Sequence, residues 1–443
     1  MQEDNIKSFK IRFLISWFPG FLIIFSLILN SFCFADSQYP ANSKVKLGID
    51  VLLEKQLVLL NGKRVGLITN PSGVNRQLIP TIDLLAKQTT FKLVALFAPE
   101  HGIRGDLFAG EEVKTYTDER TGLTVYSLYG KNKRPTEEML KDIDVLVVDI
   151  QDIGSRTYTY ISSMAEAMKS AAEFKKEFMV LDRPNPCGGI LFEGPILERE
   201  RTSMVGIAPI PVTHGMTAGE FAKYFNGEEN INCKLTVIPM EGWTREMLWE
   251  DTGLEWVQTS PHIPHALNAL LYTATGMLGG IGADINEGVG YTLPFETVAA
   301  EWITNPEELA KVLNNKNLPG VYFRPITYRP YYFKFKDKVL SGVQLHIYDQ
   351  HTFRPLETAI QMLATINIMY PDKIQPRKSF ETYWGNKLRE QLQQKMTAEQ
   401  IMATWQPGLE DFAQKRAKYL MYKTERKQGF FKKLFYKLSH HSS

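Results

Sequence analysis

From residue 47 onward, short aliphatic and β-branched runs alternate with longer stretches whose apolar positions recur at helical spacing, the pattern of βαβ units around a parallel sheet. The runs Val65–Thr69, Lys92–Phe97, Val145–Ile150 and Phe178–Leu181 predict strands, with weaker candidates at Leu123–Leu128 and Pro209–Thr213. Between them, Ile79–Lys87, Pro135–Ile143 and Tyr158–Lys175 predict helices, the last with a long Ala/Met-rich face. Another helix opens at Thr217, where Thr217-Ala-Gly-Glu220 matches a capping box, and closes near Asn226-Gly227. After Trp256 the character changes. Ser260-Pro-His-Ile-Pro264 reads as a hinge, followed by the small apolar segment Ala266–Met277 and a Gly-rich loop from Gly279 to Gly290. Beyond it, Tyr331–Phe335 and Val343–Tyr348 alternate as half-buried strands, while Leu356–Tyr370 and Thr397–Trp405 read as helices. The expectation is an α/β protein, with a mostly parallel sheet domain over 46–257 and a second domain over 258–422.

Composition narrows the class. At 443 residues, 44% hydrophobic and 23% charged, the chain is neither disordered, fibrous nor coiled coil. The net charge of +2 averages unlike parts, because Lys415 to Lys437 holds nine Lys/Arg against the single acid Glu425. Without that stretch and the first 35 residues there remain 39 basic and 46 acidic side chains, a net charge of −7, which excludes nucleic-acid binding by the body.

The first 35 residues have the order of a secretory signal: Lys7, Lys10 and Arg12, the apolar run Phe13–Phe32, then the small-x-small pattern Cys33-Phe34-Ala35. Cleavage is expected after Ala35, giving an exported, periplasmic or extracellular protein. The alternative is an uncleaved anchor, since the run is long enough to span a bilayer. The mature chain keeps Cys187 and Cys233, too few for a disulfide framework. The basic tail over 423–443 reads first as frayed and solvated, and second as a weak contact for an anionic membrane surface.

Ligands of open parallel sheets bind outside the carboxyl ends of the strands. Each predicted strand runs into a polar or Gly/Pro-rich segment: 69–73, Pro99-Glu-His-Gly-Ile-Arg-Gly105, 149–156, Asp182-Arg-Pro-Asn-Pro186 and Thr213-His-Gly215. Parallel strands would gather Glu100, His101, Arg104, Asp149, Gln151, Asp152, Arg156, Asp182, Arg183, Asn185 and His214 around one site. No dinucleotide fingerprint, P-loop or nucleophile elbow accompanies them, and no cofactor is expected. Carboxylates among hydrogen-bonding groups suit hydrolysis of a polyhydroxylated substrate, and arginines suit an anionic group on it. Glu100 and Asp149 are the catalytic candidates and the other nine the substrate-binding ones. Structural roles compete: Asp152 reads equally as a helix cap, and Asp182-Arg183 equally as an internal ion pair. His262-x-x-His265 has metal-ligand spacing, but Pro264 breaks the helix that would align the two rings, so no metal site is expected.

The 99–105 and 182–186 segments, together with Val145-Leu-Val-Val-Asp-Ile-Gln-Asp-Ile-Gly154, Thr157-Tyr-Thr-Tyr160, Glu193-Gly-Pro195 and His214-Gly-Met-Thr217, resemble the motifs of the NamZ family, exo-β-N-acetylmuramidases once catalogued as a domain of unknown function. The resemblance runs from about Gly48 to Tyr422. It implies a Rossmann-like domain followed by a smaller α/β domain, a site in the cleft between them, and removal of non-reducing terminal N-acetylmuramic acid from peptidoglycan fragments. It places the family's Pro-Glu-His-Gly glutamate on Glu100, which the residue pattern already favours as general acid, and offers Arg104, Arg156 or Arg183 to the sugar's lactyl carboxylate. One departure stands out: a loop in which the family carries a glutamate and then Gly-Arg-Gly-Thr reads Gly279 to Glu296 here, with Val289 at the arginine position. Asp284 or Glu287 is the candidate for the carboxylate, and specificity could extend to a related amino sugar. The competing function is a non-catalytic periplasmic module that binds cell-wall fragments through the same loops.

Overall fold

The computed structural model describes residues 43–105, 115–130, 132–279, 284–374 and 380–424. The expected signal segment and nearly all of the basic tail lie outside them.

Seven strands form the larger sheet: β1 (Arg64–Thr69), β2 (Lys92–Ala98), β3 (Tyr116–Thr117), β4 (Thr124–Ser127), β5 (Val145–Asp149), β6 (Glu177–Leu181) and β7 (Lys234–Ile238). Their order is β3-β4-β2-β1-β5-β6-β7, parallel throughout except for the β3–β4 edge pair. The central strands are buried along almost their whole length, as expected for a parallel sheet covered on both faces. One face packs on a core that includes Val45, Ile49, Leu52, Ile82, Leu85, Trp243 and Trp249. The other is covered by α2 (Thr159–Glu173) and α3 (Ala218–Glu228), while α1 (Thr81–Ala86) follows β1.

The capping box at the start of α3 forms as expected: Thr217 Oγ1 accepts from the Glu220 N–H, and the Glu220 carboxylate accepts from the Thr217 N–H. Pro209–Thr213 does not become a strand. It contains bends at Pro209 and Val212, and its only bridges are isolated ones from Thr213 to Ser155 and Glu193.

The second half opens with a helical stretch, α4 (Leu267–Leu271), continued by a π-helical turn (Tyr272–Gly276) and Met277–Gly279. A smaller antiparallel sheet follows, ordered β8 (Thr297–Ala300), β10 (Leu340–Ile347), β9 (Val321–Tyr328), with α5 (Pro306–Asn314) and α6 (Pro355–Met369) packed beside it. Its apolar face joins that of α2 and α3 in one continuous core. The predicted strand Tyr331–Phe335 is instead part of the connection between β9 and β10, made of bends and turns. Cys187 and Cys233 are free, buried thiols.

Candidate functional site

The polar segments do converge at the carboxyl edge of the sheet, but most of their side chains spend their hydrogen-bonding capacity on one another. Asp149, at the end of β5, is fully buried. Its Oδ1 accepts from Arg183 Nε at 2.6 Å, and its Oδ2 from Arg183 Nη2 at 2.9 Å and from the Thr81 hydroxyl. The expectation of a catalytic Asp149 is therefore corrected: a carboxylate without exposed surface and with both oxygens taken reaches no substrate. The same contacts commit Arg183, whose Nη2 also donates to the Val74 carbonyl.

Asp182 is likewise sealed. It accepts from the Gly219 N–H at 2.8 Å and from the hydroxyls of Thr217 and Tyr422, so it ties the start of α3 to the far end of the described chain. Burial pushes its carboxyl up to about 6, against those hydrogen bonds. Arg156, buried, donates to the carbonyls of Pro195, Ile210 and Tyr383, and burial lowers it to about 9. It staples backbone from both halves and offers no hand to an anion. Gln151 donates to the carbonyls of Asp152 and Pro184, while Asn185 holds the Cys187 N–H and the Met216 carbonyl. His214 accepts from the Met216 N–H, and burial, then Arg416 and Arg156, pushes it down to about 3, leaving a neutral core imidazole. Arg104 grips Asp118 through Nε and Nη2 at 3.0–3.2 Å. The expectations for Arg183, Asp182, Arg156, Gln151, Asn185 and His214 are thus corrected to structural roles, while Arg104 keeps a partly exposed guanidinium.

Glu100 is different. It follows β2 on a turn in which His101 (φ 75°) and Gly102 (φ 77°) adopt left-handed backbone. The turn carries Glu100 to the start of α2, where the Thr159 hydroxyl donates to its Oε2 at 3.0 Å. The Tyr129 hydroxyl hydrogen-bonds it from the other side, and burial followed by the Glu100 charge raises that phenol. Glu100 remains partly exposed. The Thr157-Tyr-Thr-Tyr160 segment builds the surrounding wall: Tyr158 donates to Thr259 Oγ1 at 2.8 Å, Tyr160 to the Thr259 carbonyl, and Thr157 meets the Tyr272 hydroxyl at 3.3 Å. Beneath it lies Asp152, whose Oδ2 accepts from the Gly154 N–H at 2.7 Å while its buried Oδ1 has no partner; burial raises it to about 7.

The second half adds Tyr272, Tyr383 and Glu287. The Tyr383 hydroxyl is raised by burial, then by the charges of Glu287 and of Glu100. Burial pushes Glu287 up to about 7. Its carboxylate lies where a Cβ on Gly279 would stand, so only glycine there leaves room for it. Asp284, the other candidate of that loop, is exposed and pairs with Lys334 at 2.8 Å. His262, lowered by burial and by neighbouring His101, brings the hinge segment to the same rim. Tyr129, Thr159, Tyr272 and Tyr383 went unremarked as site residues in the sequence, since hydroxyls this far apart in the chain carry no local pattern. Among the described residues, no cluster of three His, Cys, Asp or Glu side chains is placed to hold a metal ion.

A partly exposed carboxylate held by hydroxyls and a second carboxyl group raised by burial are groups a glycosidase uses. Comparison with known proteins gives the family. Residues 65–267 match the model described as exo-beta-N-acetylmuramidase NamZ, N-terminal, and residues 270–422 match its C-terminal counterpart. The chain is 45% identical over 406 residues to the peptidoglycan beta-N-acetylmuramidase NamZ of Bacillus subtilis (strain 168), covering 90% of this chain and 97% of that protein. Two crystal structures of DUF1343 family proteins from Bacteroides fragilis NCTC 9343 share the fold. One has a TM-score of 0.80 at 45% identity and the other 0.71 at 29%, each covering 86% of this chain and 99% of its own. The chain belongs to the NamZ family of exo-β-N-acetylmuramidases.

Proposed function

We propose that this protein is an exported exo-acting glycosidase that removes a terminal N-acetylmuramic acid, or a related amino sugar, from peptidoglycan fragments. The observation that carries the reading is Glu100, partly exposed after β2 with its Oε2 accepting from the Thr159 hydroxyl at 3.0 Å, together with a second carboxyl group, Glu287, on the loop of the second half. Their surroundings divide the work between them. Glu287 keeps its proton to about pH 7 because burial disfavours the charge, which equips it to protonate the leaving oxygen. Glu100, held by the hydroxyls of Thr159 and Tyr129, is the group that activates water or steadies positive charge at the anomeric carbon. This exchanges the general-acid role that the sequence reading gave Glu100. With Arg156 and Arg183 committed elsewhere, recognition of the lactyl carboxylate falls to the partly exposed Arg104 or to the His101–His262 rim.

The test is sugar release from a β-N-acetylmuramoyl disaccharide and from its β-N-acetylglucosaminyl analogue. Turnover of the first at least about tenfold faster is expected from one added anionic contact. If neither turns over and both bind, the competing reading as a binding module takes over. Export is part of the same proposal: the secreted fraction should carry a chain beginning after Ala35, and a full-length chain confined to the membrane fraction would mean an uncleaved anchor.

A further inference from the structure

The connection between β9 and β10 presents an unusual surface. Tyr331, Tyr332 and Phe333 are consecutive aromatics that are 56%, 36% and 60% exposed. Large apolar side chains left open side by side on a rigid frame mark a binding surface more often than scattered single ones do. The frame here is rigid. The Tyr331 N–H donates to the Gly290 carbonyl at 2.9 Å, and a Cβ on Gly290 (φ 95°) would collide with the Tyr332 carbonyl, so the segment is clamped onto the loop that carries Glu287. On its other side, the Tyr332 hydroxyl meets His262 Nε2 at 2.9 Å, and the two rings stack at 6.1 Å with 17° between their planes. His262 in turn neighbours His101, the residue after Glu100. The aromatic segment is therefore tied both to the loop that bears Glu287 and to the hinge segment at His262. Phe333 holds φ at 68°, a conformation that costs a bulky residue energy, and its ring is displayed rather than buried. Tyr331 and Tyr332 lie 5.3 Å apart, and Tyr332 and Phe333 6.1 Å, so the rings form a short, continuous lip.

We infer that this lip is a saccharide-binding subsite for the amino sugar on the reducing side of the bond that is cut. The occupant follows from chemistry and place. A pyranose ring offers one face of C–H groups that lies well against an aromatic ring, and the polar rim of the sugar finds His262 and the tyrosine hydroxyls. An enzyme that removes one terminal sugar leaves the rest of the glycan just outside its carboxyl pair, where the lip stands. This rests on the proposed glycosidase reading, which it deepens: the lip would select chains over single glycosides.

The experiment compares wild type with Tyr331→Ala/Phe333→Ala, two exposed side chains whose removal leaves the fold and both carboxyl groups in place. Two substrates are used, an N-acetylmuramosyl fluoride, which fills only the terminal subsite, and a glycan tetrasaccharide that ends in the same sugar. Binding of a β-1,4-linked N-acetylglucosamine tetramer is measured by calorimetry alongside. The inference predicts unchanged turnover of the fluoride, a loss of roughly 10- to 100-fold in kcat/KM on the tetrasaccharide, taken mostly in KM, and a similar weakening of tetramer binding. Equal activity of the two proteins on the tetrasaccharide, or an equal loss on both substrates, would overturn it. If wild type cleaves neither substrate, the glycosidase reading fails by itself. Tetramer binding that depends on the two rings would then still support the lip, and binding that is absent or indifferent to them would sink it.

Discussion

Two polar regions sit side by side at the carboxyl edge of the large sheet, and they differ in one respect that separates structure from chemistry. Around Asp149, Arg183 and Asp182 the polar groups are buried and engaged by hydrogen bonds, and Arg156 and His214 beside them are buried too, each with only one ring or guanidinium nitrogen left unpaired. Glu100 and Glu287 are both only partly buried residues, Glu100 accepting from the Thr159 hydroxyl and Glu287 with a carboxyl raised by burial. The first region costs desolvation that its own contacts offset, and breaking one member leaves the partner charged and stranded. The second keeps unspent capacity for a ligand. Polarity at a strand end is thus weak evidence of a site, and polarity that remains unsatisfied is strong evidence.

This contrast can be broken in several places. The largest expected effect is on chemistry. Glu100→Gln should lower kcat roughly 10³-fold on both a disaccharide and a nitrophenyl glycoside, since the group acts whatever the leaving group is. Glu287→Gln should lose roughly 10²-fold on the disaccharide and little on the nitrophenyl glycoside, whose leaving group needs no proton. The wild-type rate on the disaccharide should also fall above about pH 7 and lose that limb in the variant. The reverse pattern of losses would return the acid role to Glu100.

Next comes stability. Asp149→Asn leaves Arg183 charged and buried, so a loss of about 3–5 kcal/mol in a urea titration is expected, with the activity per folded molecule kept. Asp152 sharpens the comparison with an opposite sign. In the folded protein it holds its proton to about pH 7, against 3.8 as the ordinary value. Its contribution is therefore complete below the lower value and falls as pH rises through the higher one. Asp152→Asn, neutral throughout, should be indistinguishable from wild type at pH 3 and about 2–4 kcal/mol more stable at pH 8. A variant less stable at pH 8 would mean that the buried Oδ1 has a partner after all. The smallest effect is expected at the α3 cap, where Thr217→Ala removes the cap and a hydroxyl donor to Asp182 at about 1–2 kcal/mol, read as a shift in the same titration.

Much of the fold was legible because its signals are local. The aliphatic runs at β1, β2, β5 and β6 and the capping box at α3 need no partner to be recognised. What was missed has physical reasons. β9 contains Pro325, which argues against a strand, yet β9 lies at the edge of its sheet, where a residue without an N–H is tolerated. Tyr331–Phe335 alternates like a strand, but Tyr331, Tyr332 and Phe333 are shown to solvent and only Phe335 packs into a core. Pro209–Thr213 is a bent connection joined to two loops by single bridges at Thr213 rather than to a neighbouring strand. In the site, Glu100 could be singled out by its place after β2 and Glu287 by its loop. The saturation of Asp149 could not, because Thr81 and Arg183 come to it from distant points of the chain.

The central claim is that the open carboxyl pair does the chemistry and the buried cluster holds the frame. Its most direct test is the rate of sugar release per folded molecule, measured beside the urea midpoint, for Glu100→Gln and Asp149→Asn. The account predicts that Glu100→Gln keeps the wild-type midpoint and loses the rate, while Asp149→Asn loses the midpoint and keeps the rate. Near-normal turnover by a folded Glu100→Gln, or an inactive Asp149→Asn of undiminished stability, would contradict it.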